Sequence, residues 1–283
     1  MKPPKRNSKV CDVSLLQGSD EIESLYRLLD ELDGFSADQT DAALIHLLKT
    51  LGKLVRADNV QWYAAVRVMP GEEVQVDPML GWRLRAMQML VPDSEDYSKL
   101  TAWLHTRHKP CADIDLHIGM ATRAMVVGAG TFQAHRMRDG WINFEAFQKT
   151  DHYQYHYEEL GIADRIWISF PLNDDTESMF LLDHHQPQSR FSERDIALLS
   201  FVIRSIRGFH RRLFLSHGLH IGDAPLSPSK RRLLQQLFTG NSEKEIAHSL
   251  GYTTATTSQY IKAIYRSFGV SNRASLMTLW LGS

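Results

Sequence analysis

Two groups of side chains in this sequence have types and spacings that could do chemistry. His105, His108, Cys111 and His117 fall within thirteen residues, with Asp113 and Asp115 between them. Imidazole, thiolate and carboxylate are the ligand types that zinc or iron sites use. His105 and His108 could share a helix face at i, i+3, but Pro110 interrupts the helix before Cys111 and the spacing matches no standard site. We therefore assign no metal and no cofactor, and keep these four residues as the metal-ligating candidates. His152 and His156 form a second pair at i, i+4 among Tyr153, Tyr155 and Tyr157. The other group lies near the C-terminus. Projected at about 100° per residue, a helix from Thr254 to Phe268 places Thr257, Ile261, Ile264, Tyr265 and Phe268 on one face. Ala255, Thr256, Gln259, Lys262, Ala263 and Arg266 fall on the other. That outer set offers small residues that allow close approach, an amide suited to adenine, and two cations suited to guanine or phosphate. It contains no acid, whereas a merely solvated helix face interleaves both signs.

Signatures of catalysis fail by contrast. Gly128-Ala129-Gly130-Thr131-Phe132-Gln133 has GxG without the third glycine and follows no clear strand, so it is no dinucleotide fingerprint. Neither a P-loop nor GxSxG occurs, and no nucleophile, base and orienter can be named together. The chain is read as no enzyme, with a metal- or cofactor-dependent enzyme domain carrying accessory DNA binding as the competing reading. Trp62, Trp82, Trp103, Trp141 and Trp167 could line a ligand pocket, since such sites are mostly apolar with a few placed polar groups. Core packing is the default for any one of them.

Charge sharpens the contrast between the two ends and the middle. The formal net charge of −1 resolves into +4 for residues 1–10, −10 for residues 11–225 and +5 for residues 226–283. A compact basic segment is the footprint of a nucleic-acid module, because neutralised phosphates release counterions. The longest mostly apolar stretch, Met120 to Phe132, is interrupted by Arg123 and is well short of the roughly 20 residues that cross a bilayer. No apolar run follows the basic start Met1 to Arg6, which reads as a disordered arm rather than a signal peptide. With two cysteines, Cys11 and Cys111, and no CxxC, the expected compartment is the reducing cytoplasm.

The elements that must position these residues can be read in part. Apolar residues recur at helical spacing from Ser19 to Leu32 and from Asp38 to Val55. Val60 to Val68 alternates as a strand, and Arg165 to Pro171 and Met179 to Asp183 form a hairpin about the Asn173-Asp174-Asp175 turn. Ser192 starts a long helix in which Leu199, Val202, Ile206, Phe209 and Leu213 make a short seam, for packing on the domain's own sheet or for a dimer. Residues 70–160 stay ambiguous. Four short helices close the chain: Ser227 with Pro228 opens the first, the Ser242-to-Glu245 capping box the second, a Gly251-Tyr252-Thr253 turn leads into the third, and Asn272 begins the fourth. Helix, three-residue turn, helix is the arrangement that lays its second helix in the DNA major groove.

Leu226-Ser227-Pro228, Ser242-Glu243-Lys244-Glu245-Ile246-Ala247, Leu250-Gly251-Tyr252 and Ile264-Tyr265-Arg266-Ser267-Phe268-Gly269-Val270-Ser271-Asn272-Arg273-Ala274 resemble the LuxR-type helix-turn-helix domain. The resemblance implies base contacts from Ser258, Gln259 and Lys262, with Lys244 and Thr256 near the backbone; the family often has Lys where Ser258 stands and Val where Gln259 stands. It also implies that the fourth helix, through Met277 and Leu281, can mediate dimerisation on DNA. Arg165 to Pro171 with Phe191 to Leu199 is similar to the close of a GAF-type sensory domain, and Leu51 to Asp58 to its opening. Asp77-Pro78 with Trp82 resembles a fragment of acyl-homoserine-lactone sensors, but the surrounding Trp and Tyr spacing is absent and that ligand is not assigned.

The expected architecture is an α/β (α+β), GAF-like N-terminal domain with an antiparallel sheet and flanking helices, plus a four-helix all-α domain. The expected boundaries are a basic arm at 1–18, a sensor at 19–217, a linker at 218–225 and a DNA-binding domain at 226–283. The expected function is cytoplasmic, sequence-specific transcriptional regulation by a homodimer that binds double-stranded DNA, with RNA polymerase as a further partner. A small-molecule effector or a protein partner acts at the N-terminal domain. A constitutive DNA-binding protein with a dimerisation platform is the third reading.

Overall fold

A computed structural model of the chain describes residues 18–68, 77–91, 118–219 and 226–281. Trp103, Cys11, Cys111, the basic arm and the candidates His105, His108 and His117 lie outside these residues. The described residues divide into two compact units: Leu48–Ser205 with the segment ending at Leu25, and Tyr26–Leu47 with Ile206–Ser283.

Helices α1 (Ser19–Gly34) and α2 (Thr40–Val55) open the chain, followed by strands β1 (Asn59–Arg67) and β2 (Trp82–Met89). Helix α3 (Met120–Val127), β3 (Gln133–Arg136) and α4 (Phe144–Gln148) come next. A single turn at Asp151–Tyr153 then widens into a π-helical turn, Gln154–Glu158. Strands β4 (Asp164–Asn173) and β5 (Thr176–His184) form the hairpin expected about Asp174. All five strands join one antiparallel sheet in the order β2-β1-β5-β4-β3.

Because side chains alternate across a strand, one register fixes both faces of this sheet. Tyr63 pairs with Met179 and Trp167 with Leu181, so these four share a face, while Trp62 opposite Phe180 and Ile168 opposite Phe180 share the other. That second face is fully buried at Val60, Trp62, Ile166, Ile168, Phe180 and Leu182. Helix α2 comes close to it at Gly52, where an added Cβ would stand 3.2 Å from Val60 Cγ2. The Trp62 indole donates to Ser178 Oγ at 2.9 Å across the strands, which satisfies the indole N–H that this burial takes from water.

The expected long helix is two. Helix α5 (Glu193–Ser205) and helix α6 (Arg207–His217) are separated at Ile206, whose φ and ψ of −99° and 35° leave the helical region. Ser192 does start α5, with its hydroxyl donating to Asp195 at 2.8 Å and accepting from the Asp195 amide at 3.2 Å. The seam residues Leu199, Val202, Ile206, Phe209 and Leu213 are all buried within the chain.

Helices α7 (Pro228–Leu237), α8 (Glu243–Leu250), α9 (Thr254–Ser267) and α10 (Arg273–Leu281) make the C-terminal module. Their apolar faces meet in one core of Leu233, Leu234, Leu237, Ile246, Ile261, Ile264, Phe268, Leu276 and Trp280. Ala37, from the turn before α2, packs against the same core. An ion pair of 2.6 Å joins Asp41 on α2 to Arg231 on α7.

Candidate functional site

The C-terminal module presents the first site. Ser242 accepts from the Glu245 amide at 3.4 Å while its own amide donates to the Glu245 carboxylate at 2.7 Å, so the capping box that starts α8 is formed. Gly251 ends α8 at φ +67°, a conformation that side chains with a Cβ rarely adopt. Thr253 then caps α9, its hydroxyl accepting from the Thr256 amide at 3.1 Å. Ser227 stands at the N-cap of α7 as expected but makes no side-chain cap bond.

Helix α9 divides as its spacing predicts. Thr257, Ile261, Ile264 and Phe268 are buried and Tyr265 is half-buried, whereas Ala255, Gln259, Lys262 and Arg266 are exposed and Thr256 and Ala263 partly so. Lys244 is exposed on α8. Ser258 is half-buried and donates its hydroxyl to Glu243 Oε2 at 3.0 Å. The projection of a single helix could not show this: the acid-free face of α9 has a carboxylate brought to its edge by the preceding helix. A second residue that projection missed is Arg273, the first of α10. Its guanidinium donates to the carbonyls of Leu237 at 2.7 Å, Asn241 at 2.6 Å and Thr239, tying α10 to the chain end of α7. Planar, five-donor geometry suits arginine to such a fan of acceptors.

The second site is a cavity of about 160 Å³ on the sheet face that carries Tyr63, Trp167, Met179 and Leu181. Met79 and Trp82 at the start of β2, Met125 and Val126 of α3, and His152, His156, Tyr157 and Leu160 close it among the described residues. A site for one water needs about 10–15 Å³, so the space suits a molecule of roughly ten or more non-hydrogen atoms. Of the five tryptophans singled out by sequence, Trp82 and Trp167 line the cavity. Trp62 belongs to the opposite sheet face, and Trp141 stacks on His135 at 4.2 Å between ring centres and meets Trp167 edge-on.

Several polar groups at and around this cavity are hydrogen-bonded within the chain. Arg165 donates to both Asp183 oxygens, at 2.5 and 2.8 Å, and its guanidinium lies 4.8 Å over the Tyr157 ring. Burial works to discharge Arg165, but the Asp183 carboxylate outweighs it and holds the guanidinium pKa above its ordinary value. Gln61 donates to Asp183 at 2.8 Å and accepts from Tyr63 OH at 2.5 Å. Glu177 accepts from Ser169 Oγ at 2.5 Å and from the Gly130 amide at 2.6 Å, and burial raises its pKa above the usual carboxylate range. The Gly128-Ala129-Gly130 run is thereby explained: Gly128 caps α3, and Gly130, at φ +86°, turns its amide onto Glu177. Asp77 is spent on the Gly81 amide at 2.6 Å and on Arg83 at 2.8 Å. Burial would raise the Asp77 pKa, but these donors hold it below the ordinary value. Trp82 differs from these: it is 3% exposed, and its indole N–H has no hydrogen-bond partner among the described residues.

His152 and His156 both line the cavity, with ring centres 4.7 Å apart. Among the described residues no group of three or more His, Cys, Asp or Glu side chains is placed to hold a metal ion, and no helix is long and apolar enough to cross a membrane.

Residues 224–280 match the family of bacterial regulatory proteins called the luxR family. They form a helix-turn-helix domain of that family. The transcriptional regulatory protein MctR of Rhizobium johnstonii is 38% identical over 56 residues, which make up 20% of this chain and 26% of that protein. The match thus spans about a quarter of that relative. Among solved structures, SdiA in complex with octanoyl-rac-glycerol aligns over 94% of this chain and 97% of its own, at 12% identity and a TM-score of 0.41. The VqsR LBD domain of Pseudomonas aeruginosa aligns over 69% and 96%, at 17% identity and a TM-score of 0.42.

Proposed function

We propose that this chain, whose residues 224–280 are a luxR-family helix-turn-helix domain, is a sequence-specific transcriptional regulator whose DNA binding is controlled by a small molecule held on the sheet of the N-terminal unit. The carrying observation is α9 itself, a capped helix after a glycine turn whose exposed face offers Gln259, Lys262 and Arg266. Such a helix enters the major groove with its N-terminal half at the base edges. Ser258, Gln259 and Lys262 are then base-edge contacts, Thr256 and Lys244 lie near the DNA backbone, and Lys244 and Arg266 neutralise phosphate. A GAF-like reading of the N-terminal unit is supported by its single antiparallel sheet with helices against it.

The cavity favours an uncharged effector. Arg165 and Asp183 neutralise each other, and the Glu177 carboxyl is taken up by Ser169 Oγ and the Gly130 amide. A charged ligand would have to leave water without a counter-charge, which costs several kcal/mol. An apolar body with one acceptor oxygen for Trp82 suits the lining. The regulator acts in the cytoplasm as a homodimer and recruits or blocks RNA polymerase, with no catalytic step of its own.

The test is binding of the full chain to DNA sites selected from a random duplex pool. Lys262→Ala and Gln259→Ala each weaken specific binding about 5- to 150-fold, and Lys262→Ala also lowers the salt slope by about one. Unchanged binding in both variants would contradict the assignment.

A further inference from the structure

We infer that Glu243 sets the base preference of the recognition surface by fixing the hydroxyl hydrogen of Ser258. This rests on the reading of α9 as the DNA-reading helix. Ser258 lies in the fifth position of α9, and its Oγ stands 3.0 Å from Glu243 Oε2. A serine hydroxyl ordinarily rotates to donate or accept as its partner requires. A carboxylate only accepts, so the hydrogen in this pair belongs to the serine and points at Glu243. What Ser258 has left for any third partner is its lone pairs. The carboxylate beside it is an acceptor as well.

Glu243 is free of the structural duty that its place at the start of α8 suggests. The capping box is completed by Ser242 and Glu245, whose carboxylate takes the Ser242 amide at 2.7 Å. Glu243 is exposed, and its charge is felt on α9, where together with burial it raises the Tyr265 pKa. The pair therefore forms a patch of acceptors at the edge of a face whose other polar groups, Thr256, Gln259, Lys262 and Arg266, include donors. In the major groove the bases that offer a donor are cytosine, through N4, and adenine, through N6. Guanine and thymine present acceptors there, and opposite this patch two acceptors would face each other with no hydrogen between them. The structure thus assigns to the Glu243–Ser258 pair a preference for an amino-bearing base at one position of each half-site.

Glu243→Gln supplies the discriminating variant. A glutamine amide donates as well as accepts, so Ser258 can accept from it and turn its own hydrogen outward, making guanine and thymine acceptable. Sites are selected from a random duplex pool with full-length wild type, Glu243→Gln and Ser258→Ala, each first shown to melt as the wild type does. The wild type enriches C or A at one half-site position and loses about 5- to 150-fold in affinity when that base is changed to G or T. Glu243→Gln broadens that position to G or T, Ser258→Ala loses the preference there, and the other positions stay as they were. A wild-type consensus with G or T at the position that responds to Ser258→Ala overturns the inference, as does an identical consensus for wild type and Glu243→Gln. A wild type that enriches no sequence at all instead overturns the proposed function.

Discussion

At the scale of single residues, the buried histidine at the end of α6 gives a pH signature. His217 is 8% exposed, and its Nδ1 lies 2.9 Å from the Leu213 carbonyl. Burial, reinforced by the Arg231 charge, lowers its pKa from 6.5 to about 4. Between those values the unfolded chain binds a proton that the folded chain refuses, so stability rises with pH through that window. The contribution is complete above about pH 6.5 and is lost as the pH falls towards 4, with a slope of up to about 1.4 kcal/mol per pH unit. Urea denaturation of the full chain at intervals from pH 7 to pH 4.5 measures that slope. His217→Asn keeps a donor for the Leu213 carbonyl without a titrating ring, so its slope is smaller; an unchanged slope rules out His217 as the source. The signal for this site was hardly legible in the sequence. His217 is one of thirteen histidines, and what sets it apart is burial beside Arg231, fourteen positions away in sequence.

At the scale of elements, legibility followed punctuation. Helices α8 and α9 were readable because Ser242, Glu245, Gly251 and Thr253 mark their ends by local bonds, and the β4–β5 hairpin because a polar turn separates two apolar runs. The break at Ile206 was missed because the apolar seam runs through it without a change of spacing; Gly208 just beyond was the available hint. β2 was missed because its edge position leaves Arg83 and Arg85 partly buried among apolar residues, which blurs the alternation. Arg273 stands within the motif of the C-terminal module, but its partners lie 32 to 36 residues earlier in the chain. Those contacts give an expected outcome. Charge-assisted bonds contribute about 1.5–3 kcal/mol each, but these carbonyls are part-buried and regain water when the guanidinium is removed. Arg273→Ala should therefore cost about 2 kcal/mol in chemical denaturation, and Arg273→Lys nearly as much, because one ammonium cannot fan to three carbonyls. Full stability in the lysine variant would show that charge alone holds α10 in place.

At the scale of the whole molecule, the neutral total conceals a division, with +5 on the helix-turn-helix module and a net −6 on the remainder. Like charge on the remainder discourages non-specific association with DNA, so specificity is helped by residues far from any base. Control by an effector further requires that the two units respond together, since a ligand shifts an equilibrium only by its differential affinity for the two states. Helix α2 supplies one covalent link: it runs unbroken from Thr40 to Val55, with its residues up to Leu47 in the C-terminal unit and those from Leu48 in the other. Helix formation is cooperative, so melting one half of α2 removes hydrogen bonds that the other half needs. The full chain is therefore expected to show one calorimetric transition with equal calorimetric and van't Hoff enthalpies. A neutral amphiphile that fills the cavity at 100 times its Kd adds about 2.7 kcal/mol. For a chain of this size that raises the Tm by about 5–10 °C, and the rise applies to the transition as a whole. Two transitions, of which only one moves with the ligand, would mean that the cavity and the DNA-reading module are energetically independent, and control of one by the other would then have no physical route.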